Sequence, residues 1–139
     1  MFERCLYFNV NALTRGVNRI WDDAFRELGL SPAHAYLLRV VLASPGIPQK
    51  AIANELRLEK STITRFVDSL QDKGLVKRSR QGTEDNREQR VFPSKKAKNM
   101  QKALEAKSDA LYKRMRRSLG DTAMKALVTQ LREATRLLS

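Results

Sequence analysis

Four polar side chains fall together on one side of a predicted helix in the middle of the chain: Ser61, Thr62, Thr64 and Arg65. The segment KSTITRFVDSLQDKG carries apolar residues at i, i+3, i+4 and i+7, namely Ile63, Phe66, Val67 and Leu70. That spacing predicts an amphipathic helix whose polar residues lie opposite its buried stripe. Short hydroxyls beside a guanidinium can approach base edges and phosphate oxygens. The alternative is a helix with a solvated polar face.

A second candidate pair, Asp85 and Arg87, lies in the polar segment QGTEDNREQ. A carboxylate two residues from an arginine can pair with the guanidinium and orient it. An arginine oriented in this way suits insertion into a minor groove, where the potential of DNA is most negative. The alternative for this pair is an exposed loop ion pair of little energetic value.

The elements around these residues favour the nucleic-acid interpretation. The short segment PQKAIANEL predicts a helix just before the polar one, so that the two form a helix-turn-helix. Two short runs are β-compatible. The first, residues 75–80, is basic, and the second, residues 90–92, is ended by Pro93. A basic hairpin directly after the second helix predicts a winged helix-turn-helix, in a chain that is otherwise mainly α-helical.

Long amphipathic helices are predicted at both ends of the chain. Apolar residues recur at steps of three and four from Leu6 to Leu28, which predicts a helix over residues 2–28, about 40 Å long. A stripe of this length favours packing against a partner chain, although it could also cover the core of a monomer. Two further helices follow the wing, the last one capped by Asp121, with the predicted buried residues Met124, Leu127, Val128, Leu131 and Leu138. We therefore divide the chain into residues 1–30, 31–95 and 96–139.

Composition narrows the class of protein. The 139 residues carry a formal net charge of +12, which favours a polyanion as partner. One cysteine and one histidine cannot supply a zinc site, and no apolar run approaches the roughly 20 residues that span a bilayer. The N-terminus has no signal-peptide pattern, so we expect a cytoplasmic protein without a metal, a cofactor or a membrane contact. Scattered glycines and the lone His34, with no nucleophile-elbow serine, also predict that it is not an enzyme.

Residues 45–95 closely resemble the MarR family of bacterial transcription regulators. The resemblance rests on QKAIANEL, on EKSTITRFVDSLQDKGLV, and on the wing motif of Asp85 and Arg87 followed by Val91 and Ser94. It implies a homodimer in which the N- and C-terminal helices of the two chains interlock. It also implies a repressor that binds a pseudo-palindromic site in double-stranded DNA, with one recognition helix per major groove and one wing per flanking minor groove.

The resemblance also assigns roles to individual residues. Ser61, Thr62, Thr64 and Arg65 are expected to contact bases and phosphates, Gln49 and Lys60 to contact phosphates, and Arg87 to enter the minor groove with the support of Asp85. Regulators of this kind commonly respond to a small aromatic anion or to an oxidant. Residues that could line an effector pocket are Trp21, His34 and Tyr36, and Cys5, with Tyr7 nearby, is a candidate redox site. The alternative function is that of a non-specific architectural nucleic-acid-binding protein, driven by charge alone.

Overall fold

The computed structural model describes residues 1–80 and 88–139, which form six helices and three short strands. In chain order the elements are α1 (Leu6–Arg26), α2 (Pro32–Ala43), β1 (Ile47–Pro48), α3 (Gln49–Leu56), α4 (Lys60–Asp72), β2 (Val76–Ser79), β3 (Arg90–Pro93), α5 (Lys95–Leu119) and α6 (Asp121–Leu138). The chain divides into two compact units, Met1–Leu104 and Glu105–Ser139. The winged helix-turn-helix predicted from the sequence is confirmed, and it lies within the first unit.

The core of the first unit is built mainly from α2, α3 and α4. Ser31 caps α2 by accepting a hydrogen bond from the backbone of His34 at 3.2 Å, and Pro32 occupies the first turn. The apolar stripes of the three helices face inward. Their fully buried members are Ala35, Leu37, Leu38, Val41, Ile52, Ile63, Val67 and Leu70. Burial of these side chains fixes which side of α4 remains for solvent.

The sheet contains one strand more than the sequence predicted. Its order is β1-β3-β2, with β3 antiparallel to both neighbours. The additional strand β1 pairs Ile47 with Val91 and Pro48 with Arg90. Two residues are too short a segment to show a period of two, so no sequence pattern could indicate it. This strand joins the start of α3 to the base of the wing.

Helix α1 is shorter than predicted and is mostly uncovered by its own chain. It spans Leu6–Arg26 instead of residues 2–28, and the thiol of Cys5 accepts a hydrogen bond from the backbone of Phe8 at 3.5 Å at its N-terminus. The helix ends at Arg26, and Gly29, three residues later, adopts a φ of +70°, a conformation that favours glycine. Phe25 is the only residue of α1 that is buried, and the first half of the predicted stripe is exposed.

The second unit consists of the end of α5 and helix α6. Asp121 is the first residue of α6, and Gly120, with a φ of +87°, occupies the cap position instead, so the predicted cap at Asp121 is wrong by one residue. The Asp121 carboxylate instead pairs with Arg116 at 2.9 Å and with Lys125 at 3.3 Å. Of the predicted buried face of α6, Met124 is buried, Leu127 is half-buried, and Val128, Leu131 and Leu138 are exposed. A lone amphipathic helix needs a second surface to cover its stripe.

Over the part of the chain that the structure describes, none of the helices is apolar over a length that could cross a bilayer. Among the same residues, no cluster of three or more histidine, cysteine, aspartate or glutamate side chains could hold a metal ion.

Candidate nucleic-acid interface

A tight turn sets α3 and α4 against each other. Arg57 ends α3 in the left-handed conformation, with φ 56° and ψ 46°, and its backbone N–H bonds back to carbonyls of α3. Helix α4 begins two residues after Leu58, whose own N–H donates to the carbonyl of Ala53 at 3.0 Å. Ala53 on α3 and Ile63 on α4 are both buried, so the polar side of α4 is turned outward.

The outward side of α4 carries most of the residues predicted to bind DNA. Lys60, Ser61, Thr64 and Arg65 are exposed, and Thr62 is half-buried. The Thr64 hydroxyl donates to the carbonyl of Lys60 at 3.0 Å, so its oxygen can act only as an acceptor toward other groups. Arg65 approaches the Thr62 hydroxyl at 3.4 Å. This face can therefore offer two cations and two hydroxyls to one surface.

Gln49 lies beside this face although it belongs to α3. Its backbone N–H donates to the carbonyl of Gln89 at 3.0 Å, which ties the start of α3 to the residue before β3. Its side-chain nitrogen lies 3.4 Å from the Thr64 hydroxyl. An open depression next to it is lined by Lys50, Lys60 and Arg80 among others. The structure thus brings Gln49, Lys60 and Thr64 together.

Arg78 of β2 is a residue of this region that sequence reasoning missed. Its guanidinium donates to the side-chain oxygen of Gln49 at 2.6 Å and to the backbone carbonyl of Thr64 at 2.9 Å. It also pairs with the Asp68 carboxylate at 2.6 Å and approaches the Gln71 side-chain oxygen at 3.3 Å. One side chain therefore connects β2 to both helices.

A signal for Arg78 was present in the sequence. Residues i and i+2 of a strand lie on the same face, so Arg78 shares the face of the apolar Val76. Val76 is 2% exposed, and the Arg78 side chain is 17% exposed. A basic residue at an inward-facing strand position must find polar partners, because an unpaired buried charge is costly.

The base of the wing is held by Arg90 on β3. Its guanidinium donates to the carbonyl of Gly46 at 3.0 Å and pairs with Glu88 at 3.3 Å. Gly46 has a φ of +85°, and a Cβ there would lie 3.0 Å from the ring of Phe92. The tip, including the predicted Asp85 and Arg87, lies outside the described residues.

The three candidate pocket residues fall into two groups. The Trp21 indole N–H donates to the Tyr36 hydroxyl at 3.2 Å, and the Arg39 guanidinium lies over the Tyr36 ring at 5.5 Å. His34 instead makes an edge contact with the ring of Phe66 on α4, with centroids 4.8 Å apart. Partial burial, with a smaller contribution from the nearby charge of Lys73, lowers the pKa of His34.

Comparison with known proteins agrees with this architecture. A sequence profile of the MarR family matches residues 28–87. A Thauera aromatica protein, described as a candidate transcriptional regulatory protein for the hcr operon, is 32% identical over 59 residues. That alignment spans 42% of this chain and 36% of the relative, so this chain matches only about a third of the relative's length.

Solved structures match over nearly the whole chain. The PcaV transcriptional regulator from Streptomyces coelicolor, in complex with its natural ligand, has a TM-score of 0.88 at 18% identity, covering 100% of this chain and 97% of that one. MepR from S. aureus, in complex with DNA, has a TM-score of 0.84 at 15% identity, covering 99% and 100%. The profile of the MarR family therefore matches the segment that holds α2, α3, α4 and β2, and the solved structures share the fold of the chain.

Proposed function

We propose that the chain is a transcription regulator, a repressor, that binds pseudo-palindromic sites in double-stranded DNA as a homodimer and is released by a small-molecule or oxidant signal. The observation that carries this proposal is the exposed polar face of α4. Lys60, Ser61, Thr64 and Arg65 all lie on it, with Gln49 of α3 at its edge. A helix of 13 residues is about 20 Å long and fits the major groove.

The net charge of +12 supports the same partner but does not distinguish a regulator from an architectural protein. Charge alone gives sequence-independent binding. Short hydroxyls and an arginine on a supported helix are the groups that read base edges. We therefore favour sequence-specific binding over the architectural alternative, and we expect the protein in the cytoplasm, where bacterial DNA lies.

Exposed apolar side chains on α1 and α6 support a homodimer. Leu6, Val10 and Leu13 on α1 are 63%, 39% and 41% exposed, and Leu131 and Leu138 on α6 are 39% and 76% exposed. Apolar residues in regular helical register that no described part of the chain covers are typical of an interface. A two-fold dimer would present two α4 helices to two half-sites about one helical turn apart.

Two kinds of release signal are compatible with the described residues. The pair of Trp21 and Tyr36 with the Arg39 guanidinium offers aromatic surface and a cation, which suits a small aromatic anion. Cys5 is exposed and accessible to an oxidant. If Cys5 is the redox sensor, Cys5→Ser should abolish release of DNA by peroxide; full release by the variant would exclude that role.

The experiment that tests the function is selection of fragmented genomic DNA on the purified protein at about 150 mM salt, followed by sequencing of the retained fragments. A palindromic motif with half-sites about 10 base pairs apart is expected for a dimer of this fold. Uniform retention without a motif, together with a steep loss of affinity between about 50 and 200 mM salt, would instead establish the architectural alternative.

A further inference from the structure

We propose that Arg78 is a positioning residue for DNA binding: it fixes the Gln49 amide with its donor end toward the DNA and cancels the charge of Asp68 on the recognition helix. This inference rests on the proposed function and deepens it. Arg78 need not touch DNA, because its guanidinium is engaged by Gln49, Asp68 and the Thr64 carbonyl.

The orientation of the Gln49 amide follows from the chemistry of its partner. A guanidinium has only donors, so the end of the amide that lies 2.6 Å from the Arg78 Nε must be the oxygen. The nitrogen is then turned toward Thr64, at 3.4 Å, and toward the depression lined by Lys50 and Lys60. Glu88 also lines this depression, and its carboxylate is paired with Arg90 at 3.3 Å. Because the contact with Thr64 is long, the amide nitrogen keeps most of its capacity to donate a hydrogen bond to another group. A donor beside two lysines suits a phosphate oxygen, which only accepts hydrogen bonds.

The same guanidinium compensates the negative charge of Asp68 on α4. Asp68 lies within one turn of Arg65 and a little over two turns from Lys60, and its side chain is 57% exposed. An unpaired carboxylate there would repel the phosphates that Lys60 and Arg65 attract. Pairing with Arg78 at 2.6 Å removes most of that repulsion. Loss of Arg78 should therefore release the Gln49 amide and expose a negative charge at once.

The test uses the full-length protein and the operator duplex obtained by genomic selection. Phosphates of one half-site are replaced one at a time by uncharged methylphosphonates, and the affinity is measured by fluorescence anisotropy. In the wild type, one position should weaken binding through loss of the Gln49 contact, and Gln49→Ala should abolish the penalty at that position alone. Arg78→Ala should abolish the same penalty and weaken operator binding about tenfold to a hundredfold.

Companion variants separate positioning from a general loss of structure. Arg78→Lys keeps a positive charge for Asp68 but lacks the planar fork that holds three partners. It should therefore also lose the methylphosphonate penalty at the phosphate that Gln49 contacts, with a smaller loss of operator affinity. Asp68→Asn in the Arg78→Ala background should recover part of the affinity by removing the exposed charge. Arg26→Ala is the matched control, since it removes an arginine paired with Asp23 at 3.0 Å on α1.

The outcomes are distinguishable. If the wild type selects no operator, the proposed function fails, and the role of Arg78 fails with it. If the wild type binds a defined operator while Arg78→Ala and Arg78→Lys retain the same phosphate penalties as Arg26→Ala, the positioning role is overturned and the regulator stands. If circular dichroism shows that Arg78→Ala does not fold, the methylphosphonate penalties of Arg78→Lys decide whether the positioning role holds.

Discussion

Helices α4 and α6 are both amphipathic, but only α4 has its apolar stripe covered by its own chain. Ile63, Val67 and Leu70 on α4 are fully buried. On α6, Val128 is 48% exposed and Leu131 is 39% exposed. Helix α4 therefore presents a polar surface to solvent while its apolar side is buried in the core, whereas α6 presents an apolar surface to solvent. The difference is consistent with the two partners proposed above, a polyanion for α4 and a second copy of the chain for α6.

The largest effect expected from this contrast is on the dimer. Leu131→Glu places a charge in the proposed interface, and an uncompensated buried charge costs about 3–5 kcal/mol. We expect sedimentation velocity to show a shift from dimer to monomer. Gln130→Glu, at the neighbouring exposed position, is the control and should leave the dimer intact. A dimeric Leu131→Glu would remove α6 from the interface.

The covered stripe of α4 should be sensitive in a different way. Ile63→Ala truncates a fully buried side chain and should lower the free energy of unfolding by about 2–5 kcal/mol. Ser61→Ala, on the exposed side of the same helix, should change it by less than about 0.5 kcal/mol. Urea unfolding of the wild type and both variants at one fixed protein concentration checks this. Equal losses of unfolding free energy in the two variants would contradict the assignment of the two faces.

The polar face of α4 should affect DNA binding and not stability. Arg65→Ala should weaken specific binding by about 1–3 kcal/mol with an unchanged helical circular dichroism spectrum, and we expect the same of Arg87→Ala in the wing. Arg26→Ala, which removes the same charge from α1, controls for electrostatics. Operator binding by Arg65→Ala that matches this control would refute the role of Arg65.

A smaller effect is expected at the junction between the wing and α5. The Ser94 hydroxyl accepts from the backbone of Ala97 at 3.2 Å and donates to the carbonyl of Gly74 at 2.7 Å. Ser94→Ala should therefore cost about 1 kcal/mol of stability, as removal of a helix cap does. Ser94→Thr keeps the hydroxyl and should unfold close to the wild type in the same assay.

The mildest effect is a pH dependence from His34. Its pKa is lowered in the folded state, chiefly by burial, so protonation favours the unfolded chain. The contribution is fully present above the ordinary histidine pKa of about 6.5 and is lost as the pH falls through the lower folded value. The melting temperature of the wild type should drop more between pH 7 and pH 5 than that of His34→Gln, and parallel curves would contradict this.

Local patterns in the sequence were sufficient for the helix-turn-helix, the hairpin and most of the α4 face. The period of Ile63, Phe66, Val67 and Leu70 depends only on residues within two turns of one helix, so the sequence predicts which side is polar. The positions of Lys60, Ser61, Thr64 and Arg65 agree with that prediction. The predicted roles of Asp85 and Arg87 concern the wing tip, outside the described residues, and remain predictions.

The contacts between segments that are distant in sequence were decided by the tertiary structure. Strand β1 is too short to show a pattern, and Arg78 meets Gln49 across 29 positions of sequence. The same limit explains α6: its periodicity predicts an apolar stripe but not what covers the stripe. The sequence by itself predicted which residues this protein could use against DNA. Only the folded chain determined how Gln49 is oriented and which apolar faces remain open, because both depend on contacts that local periodicity does not encode.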